Sequence, residues 1–380
     1  MKYRKFGNLD WDASVLGFGV MRMPVVDNDP ARIDESEAIK MIRYAIDQGV
    51  NYIDTAYTYH GEQSEVLVGK ALGNGYRSKV KIATKLPSWL VDKPDDFDRF
   101  LDKQLEKLQT DHIDFYLLHA LNSNYWPKLR DWDVLKWAED AIADGRIHHL
   151  GFSFHDEFDV FKDIVDAYDG WIFCQIQYNF MDVEYQAGLK GLQYAADKGL
   201  AVVVMEPLRG GQLTTRVPPS VADLWQSATV HRTPADWALQ WIWNHPQVTV
   251  LLSGMSTMQH VIENTASADR VDVVALTEEE LVLVGKVREE YRRLVPVPCT
   301  NCNYCLPCPN SVEIAEIFEH YNDANIYDNP RGPRFHYGDL SDDQRADSCV
   351  ECFECEEKCP QGIPVVEYLK KAHALLGEDK

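Results

Sequence analysis

The sequence predicts an α/β fold, a (β/α)8 TIM barrel, followed by a small cysteine-rich domain. Short apolar runs alternate with longer amphipathic stretches from residue 15 to 265, a pattern typical of parallel strands joined by helices. Eight such units in about 250 residues match the usual length of a TIM barrel. Eight of the nine cysteines lie beyond this region. We therefore expect a barrel over residues 1–270, a helix and linker over 271–298, and a C-terminal domain over 299–380.

The predicted strands are the short apolar runs. They are Val15–Phe18, Tyr52–Asp54, Val80–Ala83, Phe115–Leu118, Ile147–Phe152, Phe173–Ile176, Leu200–Val204 and Val248–Leu252. Tyr3–Phe6 and Trp11–Ser14, which flank Gly7-Asn8, predict a hairpin before the first barrel strand. On pattern alone, a doubly wound sheet of six or seven strands is the alternative.

The amphipathic stretches between the strands predict helices. In Glu35–Gln48 the apolar residues recur at helical spacing, and Gly49 follows as a stop signal. Phe97–Leu108 and Tyr185–Lys198 have the same character. Beyond the barrel the predicted helices are Thr277–Arg293, Ile314–Asn322 and Val365–Leu376.

The overall charge and hydropathy exclude some classes of partner. A formal net charge of −22 argues against binding to a nucleic-acid backbone, which requires a basic surface. No stretch approaches the roughly 20 apolar residues that span a bilayer. The start of the chain lacks the apolar run of a signal peptide. We expect a cytoplasmic protein with neither a nucleic-acid nor a membrane partner.

Polar residues follow three of the predicted strands, at the end where TIM barrels carry their catalytic groups. Asp54 follows Tyr52-Ile53, Lys85 follows Ile82-Ala-Thr84, and His119 follows Leu117-Leu118. Tyr59 lies in the loop directly after Asp54. Taken singly, each could be structural: a helix cap, a solvated lysine or a buried histidine.

Together the four side chains suit protonation of a carbonyl group. A tyrosine has a pKa of about 10, and a neighbouring lysine ammonium would lower that pKa. Asp54 would hold Lys85 charged and in place, and His119 could orient a carbonyl. Such a group can protonate a carbonyl oxygen while hydride arrives at the carbon.

The sequence around these residues resembles the aldo/keto reductase family. The matching segments occur in family order: Gly49–Tyr59, Ile82–Lys85, Asp114–His119, His149–Ser153, Gln175–Asn179, Met205–Leu208 and Glu263-Asn264. The resemblance implies a TIM barrel that interconverts an aldehyde or ketone and an alcohol with a nicotinamide cofactor. It makes Tyr59 the general acid, with Lys85 and Asp54 tuning it. It also implies that His119 orients the substrate carbonyl.

The same resemblance implies a set of nucleotide contacts. They are Gly19, Met21, Ser153, Gln175, Met205, Pro207, Leu208, Gly210, Ser253, Ser256, His260 and Asn264. Ser153 and Gln175 match the positions that hold the nicotinamide carboxamide. Met205 stands where the family usually places an aromatic ring against the nicotinamide. The turn Pro207–Gly211 suits a backbone that approaches a pyrophosphate closely.

The stretch after the eighth strand departs from the NADP-preferring members of the family. Those members place Lys or Arg there to pair with the 2′-phosphate, whereas Ser253–His260 contains neither. This departure slightly favours NAD(H) over NADP(H). It also leaves open that no nicotinamide is bound.

The cysteines form two runs with the spacing of iron–sulfur ligands. The second run, Cys349 to Pro360, matches the bacterial C-x2-C-x2-C-x3-C-P signature, and the first, Cys299 to Pro309, is one residue shorter before its last cysteine. Without an export signal disulfides are a poor explanation. Structural zinc is the alternative, although zinc usually pairs two CxxC elements from separated loops.

Resemblance to two-cluster ferredoxins implies crossed ligation of two [4Fe–4S] clusters. One cluster would be held by Cys299, Cys302, Cys305 and Cys359. The other would be held by Cys349, Cys352, Cys355 and Cys308. Each run could instead hold its own cluster, or only one cluster could be present.

The leading hypothesis is a carbonyl/alcohol oxidoreductase that uses nicotinamide and exchanges electrons through its clusters. Nicotinamide moves two electrons as hydride and a cluster moves one, so coupling them needs a flavin or another converter, and the sequence shows no flavin motif. The expected redox partner is a ferredoxin or a flavoprotein. The alternatives are a ferredoxin-linked reductase without nicotinamide, and a non-enzymatic electron carrier or redox sensor on a barrel scaffold.

Overall fold

The structure, a computed structural model, describes residues 1–215, 217–271, 276–326 and 329–377. The chain divides into two compact units: Met1–Leu208 with Ala235–Thr277, and Arg209–Pro234 with the chain from Glu278 onward. This division differs from the expected boundaries at residues 270 and 299. The segment Arg209–Pro234 and the helix before the cysteines both belong to the cysteine-rich unit. None of the helices in the described parts of the chain is long and apolar enough to cross a lipid bilayer.

The first unit is a closed barrel of eight parallel strands with an antiparallel hairpin before it. The strands are β1 (Tyr3–Lys5), β2 (Asp12–Ser14), β3 (Leu16–Gly19), β4 (Tyr52–Asp54), β5 (Lys81–Leu86), β6 (Ile113–Leu121), β7 (Ile147–Phe154), β8 (Phe173–Gln177), β9 (Ala201–Met205) and β10 (Val248–Ser253). β1 and β2 form the hairpin, and β3 to β10 pair in sequential order until β10 closes on β3. The closure confirms the TIM barrel and excludes the doubly wound sheet.

The helices occupy the stretches between the strands and most of the C-terminal unit. Those of the described residues are α1 (Glu35–Asp47), α2 (Ser64–Ala71), α3 (Asp96–Leu108), α4 (Tyr125–Asp131), α5 (Val134–Ala143), α6 (Phe158–Asp166), α7 (Gly188–Asp197), α8 (Pro219–Gln226), α9 (Pro234–Trp243), α10 (Met258–Asp269), α11 (Glu278–Leu294), α12 (Ile314–Ile326), α13 (Arg331–Asp339), α14 (Glu354–Glu357) and α15 (Val365–Leu376).

The ends of two helices show how local sequence sets the boundaries. The Asp34 side chain accepts a hydrogen bond from the backbone N–H of Glu37 and caps α1 where its amphipathic pattern starts. α7 starts at Gly188 rather than at the predicted Tyr185. Gln186 and Gly188 both have positive φ, 55° and 52°, so the backbone cannot enter a right-handed helix earlier.

An aromatic cluster closes the amino end of the barrel. Phe6, in the hairpin loop, is fully buried and stacks among the rings of Tyr52, Phe115 and Phe173, with the Phe6–Phe115 centroids 4.5 Å apart. Tyr52 and Phe173 are the first residues of their strands. Because this end of the barrel interior is filled with side chains, a ligand site inside the barrel is expected at the carboxyl end.

Near the amino end, a buried carboxylate joins neighbouring strands. Asp114, on β6, is 1% exposed and lies 2.8 Å from both Arg77 and Lys81. It also accepts a hydrogen bond from the backbone N–H of Ile82 at 2.9 Å. Burial alone would raise the pKa of Asp114, but Lys81, the Ile82 N–H and Arg77 together hold it below its usual value.

The second unit is helical and has its own core. α8 packs against α11, and this contact explains why Arg209–Pro234 joins the cysteine-rich part of the chain. The ion pair Arg232–Glu280 and the hydrogen bond from Ser220 to Glu290 connect the same two segments. A separate apolar cluster lies among α12, α15 and the cysteine runs. Its members include Val297, Ile317, Phe318, Val365 and Leu369.

We expect Asp114→Asn to lower the free energy of unfolding by about 2–4 kcal/mol at pH 7, because Arg77 and Lys81 would lose their shared carboxylate. The folded pKa of Asp114 is depressed, so its stabilisation is present above the unfolded pKa of about 3.9 and is lost as pH falls through the lower folded value. The difference between wild type and variant should therefore close at low pH, as measured by urea unfolding.

A matched control is Asp47→Asn, which removes a half-exposed ion pair with Lys79. Such surface pairs contribute little to stability, because water and salt screen them. Equal losses in the two variants would contradict a special role for the buried carboxylate.

Candidate active site and cysteine cavities

The carboxyl ends of β4, β5 and β6 bring three of the predicted catalytic residues together. Asp54 is the last residue of β4, and Lys85 and His119 lie close to the ends of β5 and β6. The parallel register places Asp54 beside Ala83 of β5 and Lys85 beside Leu117 of β6. The three polar side chains are 0–3% exposed.

Lys85 is the hub of this group. Its ammonium donates hydrogen bonds to Asp54 Oδ1 at 2.6 Å and to the backbone oxygen of Thr55 at 2.7 Å. It also lies 5.1 Å from the centroid of the half-buried Tyr59 ring, within cation–π range. Burial lowers the pKa of Lys85, and Asp54 opposes that shift. The cation is thus placed against a tyrosine and kept there by a buried carboxylate.

His119 completes the set. Its ring lies edge-on to Tyr59 at a centroid distance of 6.1 Å and 4.9 Å from the ring of Trp89. Burial, reinforced by the charge of Lys85, holds the pKa of His119 well below its usual value. The imidazole is therefore neutral at pH 7, with one N–H donor and one acceptor nitrogen. Within the described residues, its Nδ1 has no hydrogen-bond partner.

Strands β7, β8 and β9 place the residues expected to contact the nicotinamide carboxamide and the nicotinamide ring side by side. Ser153 of β7 pairs in register with Gln175 of β8, and Met205 ends β9. Ser153 Oγ accepts a hydrogen bond from the backbone N–H of Ala120 at 2.7 Å, and Gln175 Nε2 points to Met205 Sδ at 3.7 Å. Gln175 Oε1 is buried and has no hydrogen-bond partner among the described residues. An unsatisfied buried acceptor is what a carboxamide N–H would complete.

The remaining expected nucleotide contacts fall in several places. Asn264 donates to Ser253 Oγ at 3.0 Å, and a Cβ added at Gly19 would lie 3.4 Å from the Ser253 backbone oxygen. These three positions are therefore adjacent. Met21 and Ser256 are half-buried in the loops after β3 and β10, Pro207 and Leu208 directly follow β9, and His260 is exposed in the first turn of α10. Gly210 belongs to the second unit.

Arg22 was missed by the sequence interpretation. Its aliphatic carbons lie 3.5 Å from where a Cβ would stand on Gly254, and its guanidinium is 3.5 Å from Glu206. The stretch Ser253–His260 has no cation of its own, but the fold brings one to it. No local pattern could have shown this, because only the closure of β3 on β10 joins the two segments.

Two cavities of the second unit are lined by cysteines from both runs. One is lined by Cys299, Cys302, Cys305 and Cys359. The other is lined by Cys308, Cys349, Cys352 and Cys355, together with Cys305. The last cysteine of each run thus stands with the other run.

Apolar walls surround both sets of thiols. Burial raises the pKa of Cys299 and of Cys305 to about 12, and mutual repulsion with Cys302 and Cys359 adds to the shift. Ile314, from α12, lines both cavities. Thiols in apolar cavities of this kind fit iron–sulfur clusters, whose iron deprotonates the sulfur ligands.

The closed (β/α)8 barrel and the two cysteine cavities can each be compared with known protein families. The chain belongs to the aldo/keto reductase family, whose family model matches residues 15–289. A 4Fe-4S dicluster domain matches residues 298–363. The resemblances seen in the sequence are confirmed for both parts.

Several known proteins are similar to this chain. The L-galactose dehydrogenase of Arabidopsis thaliana is 25% identical over 312 residues, covering 77% of this chain and 96% of its own. The solved aldo-keto reductase AKR11C1 from Bacillus halodurans, in its holo form, is 25% identical, with a TM-score of 0.63 over 76% of this chain and 96% of its own. An aldo-keto reductase from Klebsiella pneumoniae in complex with NADPH is 24% identical, with a TM-score of 0.61, covering 76% of this chain and 95% of its own.

Double variants test which cysteines share a cluster. Cys302→Ala with Cys359→Ala removes two thiols from one cavity, so one fully ligated cluster and about half of the wild-type iron should remain. Cys302→Ala with Cys308→Ala removes one thiol from each cavity, so neither cluster should be fully ligated. Iron analysis and EPR of the reduced proteins measure both. If each run held its own cluster, the two results would be exchanged.

Proposed function

We propose that this protein interconverts an aldehyde or ketone and the corresponding alcohol with a nicotinamide nucleotide, and that two [4Fe–4S] clusters exchange its electrons with a redox partner. The observation that carries the catalytic part is Lys85, hydrogen-bonded to Asp54 at 2.6 Å and 5.1 Å from the Tyr59 ring. A buried cation beside a tyrosine favours release of the phenolic proton. The family match supports an oxidoreductase of this type.

The bound nicotinamide supplies hydride to the carbonyl carbon. Tyr59 donates its phenolic proton to the carbonyl oxygen, and Lys85 stabilises the tyrosinate that results. Asp54 keeps Lys85 in place during this change of charge. His119, neutral at pH 7, donates a hydrogen bond that orients the same oxygen. In the oxidative direction Tyr59 accepts the proton of the alcohol.

The nucleotide is proposed to place its carboxamide at Ser153 and Gln175 and its ring against Met205. Gln175 Oε1 supports this placement, because it is a buried acceptor with no hydrogen-bond partner in the described residues. Pro207 and Leu208 are proposed to lie along the pyrophosphate. The other proposed contacts are Gly19, Met21, Ser253, Ser256, His260 and Asn264.

The slight preference for NAD(H) in the sequence interpretation is not supported. It depended on the absence of Lys or Arg in Ser253–His260, but Arg22 contacts that stretch at Gly254. The relative from Klebsiella pneumoniae is in complex with NADPH. We therefore favour NADP(H), with the guanidinium of Arg22 as the candidate partner of a 2′-phosphate.

The clusters are proposed to be ligated in the crossed pattern. Cys299, Cys302, Cys305 and Cys359 hold one, and Cys308, Cys349, Cys352 and Cys355 hold the other, because each set lines one cavity. Bound clusters supply single electrons. A ferredoxin or a flavoprotein is the proposed partner. A ferredoxin would exchange only single electrons with the clusters, whereas a flavoprotein would also bring a flavin that could couple those single electrons to hydride transfer.

Tyr59→Phe should reduce carbonyl reduction by about 10²–10⁴-fold, because the general acid is removed. Nucleotide affinity should stay unchanged. Steady-state kinetics with 4-nitrobenzaldehyde as the probe and fluorescence titration with NADPH measure the two effects. Tyr57→Phe, a buried tyrosine packed edge-on against Phe100 near the same loop, is the matched control and should retain activity. Wild-type turnover in Tyr59→Phe would show that Tyr59 is not the acid.

An anaerobic titration tests how nucleotide and clusters are coupled. Cluster-replete protein mixed with NADPH or NADH should bind one of them, with the clusters staying oxidised in the visible and EPR spectra, because no flavin is added to convert hydride into single electrons. Rapid bleaching without added flavin would contradict the need for a converter. Failure to bind either nucleotide would contradict the proposed reductase.

A further inference from the structure

A buried arginine stands at the start of the segment that joins the second unit. Arg209 is 7% exposed, and its backbone is left-handed, with φ of 47°. Gly210 and Gly211 follow with φ of 66° and 97°, which glycine adopts freely. For an arginine the same conformation costs about 1 kcal/mol or more. A glycine would avoid that cost, but it would not supply a guanidinium at this position.

The turn is tied to the chain that enters the first cysteine cavity. Arg209 donates a hydrogen bond to the backbone oxygen of Pro298 at 3.5 Å, and Gln212 donates to the backbone oxygen of Cys299. The hydroxyl of Tyr291, on α11, donates to Leu213 at 3.3 Å. All of these residues belong to the second unit. The guanidinium is therefore held beside the first ligand of the cavity.

Arg209 is close enough to the first cavity for its charge to act there. Its hydrogen-bond acceptor, Pro298, directly precedes Cys299, and Gln212 of the same turn donates to the backbone oxygen of Cys299 itself. Arg209 is buried and Cys299 is half-buried. An attraction between the guanidinium and a negative charge in this cavity is therefore screened less than it would be at the surface.

We propose that Arg209 is a positioning residue that raises the reduction potential of the cluster held by Cys299, Cys302, Cys305 and Cys359. This inference rests on the proposed assignment of that cluster. Reduction adds one electron from the partner protein and one negative charge to the cluster, with no bond formed or broken and no proton taken up. A buried positive charge stabilises the more negative, reduced state.

The cysteines of the two cavities differ in exposure, and this difference indicates where an electron would enter. Cys352, in the second cavity, is exposed, and Val350 and Phe353 beside it are 61% and 48% exposed. Cys305 lines both cavities, so the two clusters are neighbours. The exposed cluster is therefore the expected entry point for an electron, and the charge of Arg209 favours transfer from it to the neighbouring cluster.

The test is an EPR-monitored redox titration of the cluster-replete protein with dithionite, without nucleotide or carbonyl substrate. Arg209→Gln should shift the midpoint potential of one cluster to more negative values and leave the other unchanged. Arg209→Lys, which keeps the charge, should restore most of the shift. Arg292→Gln removes a half-exposed arginine of α11 and is the matched control, expected to shift neither potential.

Gln212→Glu is an independent variant in case Arg209→Gln fails to assemble its clusters. It adds a negative charge near the Cys299 backbone and should lower the same potential. Unchanged potentials in both variants, or an equal shift in Arg292→Gln, would overturn the proposal. A protein that shows the expected shifts but reduces no carbonyl would instead refute the proposed reductase, because the titration contains neither of its substrates.

Discussion

The buried ion pair between Lys85 and Asp54 is the interaction on which the catalytic end of the barrel depends. An ammonium taken out of water is costly unless a carboxylate and further acceptors surround it. Asp54 Oδ1 and the Thr55 carbonyl meet that requirement at 2.6 and 2.7 Å. Both acceptors come from the end of β4, and the lysine comes from the neighbouring strand, so the register of two parallel strands fixes the pair. The Lys85 ammonium in turn acts on both remaining residues of the site: it lies 5.1 Å from the Tyr59 ring, and its charge helps to lower the pKa of His119.

Much of the fold and part of the site could be predicted from the sequence, for a physical reason. Barrel strands are short apolar runs whose ends are marked by polar residues, so Asp54, Lys85 and His119 were visible without coordinates. Arg22 was not visible, because its contact with Gly254 depends on the closure of the barrel. The membership of Arg209–Pro234 in the second unit was equally hidden. It arises from the packing of α8 on α11. The amphipathic sequence of each helix predicts a buried face but does not show which other helix covers that face.

The cysteine-rich unit shows a different kind of constraint. Each cavity is lined by cysteines of both runs, so a site built in either cavity would need both runs in place. Metal binding contributes folding free energy where the ligands converge only in the native state. The two runs and the polar connector between them are therefore expected to order together. The Asn322 side chain, on α12, hydrogen-bonds both the backbone N–H and the backbone oxygen of Val297. These two bonds position the chain just before the first cysteine run, and they do not depend on a metal.

The turn before α8 limits how this protein can have been assembled from parts. The two family matches meet between residues 289 and 298, which suggests a simple fusion of two finished modules. Two hydrogen bonds cross that boundary: Arg209 donates to the backbone oxygen of Pro298, and Gln212 donates to that of Cys299. Both donors lie inside the first family match but belong to the second compact unit. Excision at the boundary would leave these donors without their acceptors, so recombination would have to exchange the turn together with the cysteine-rich segment.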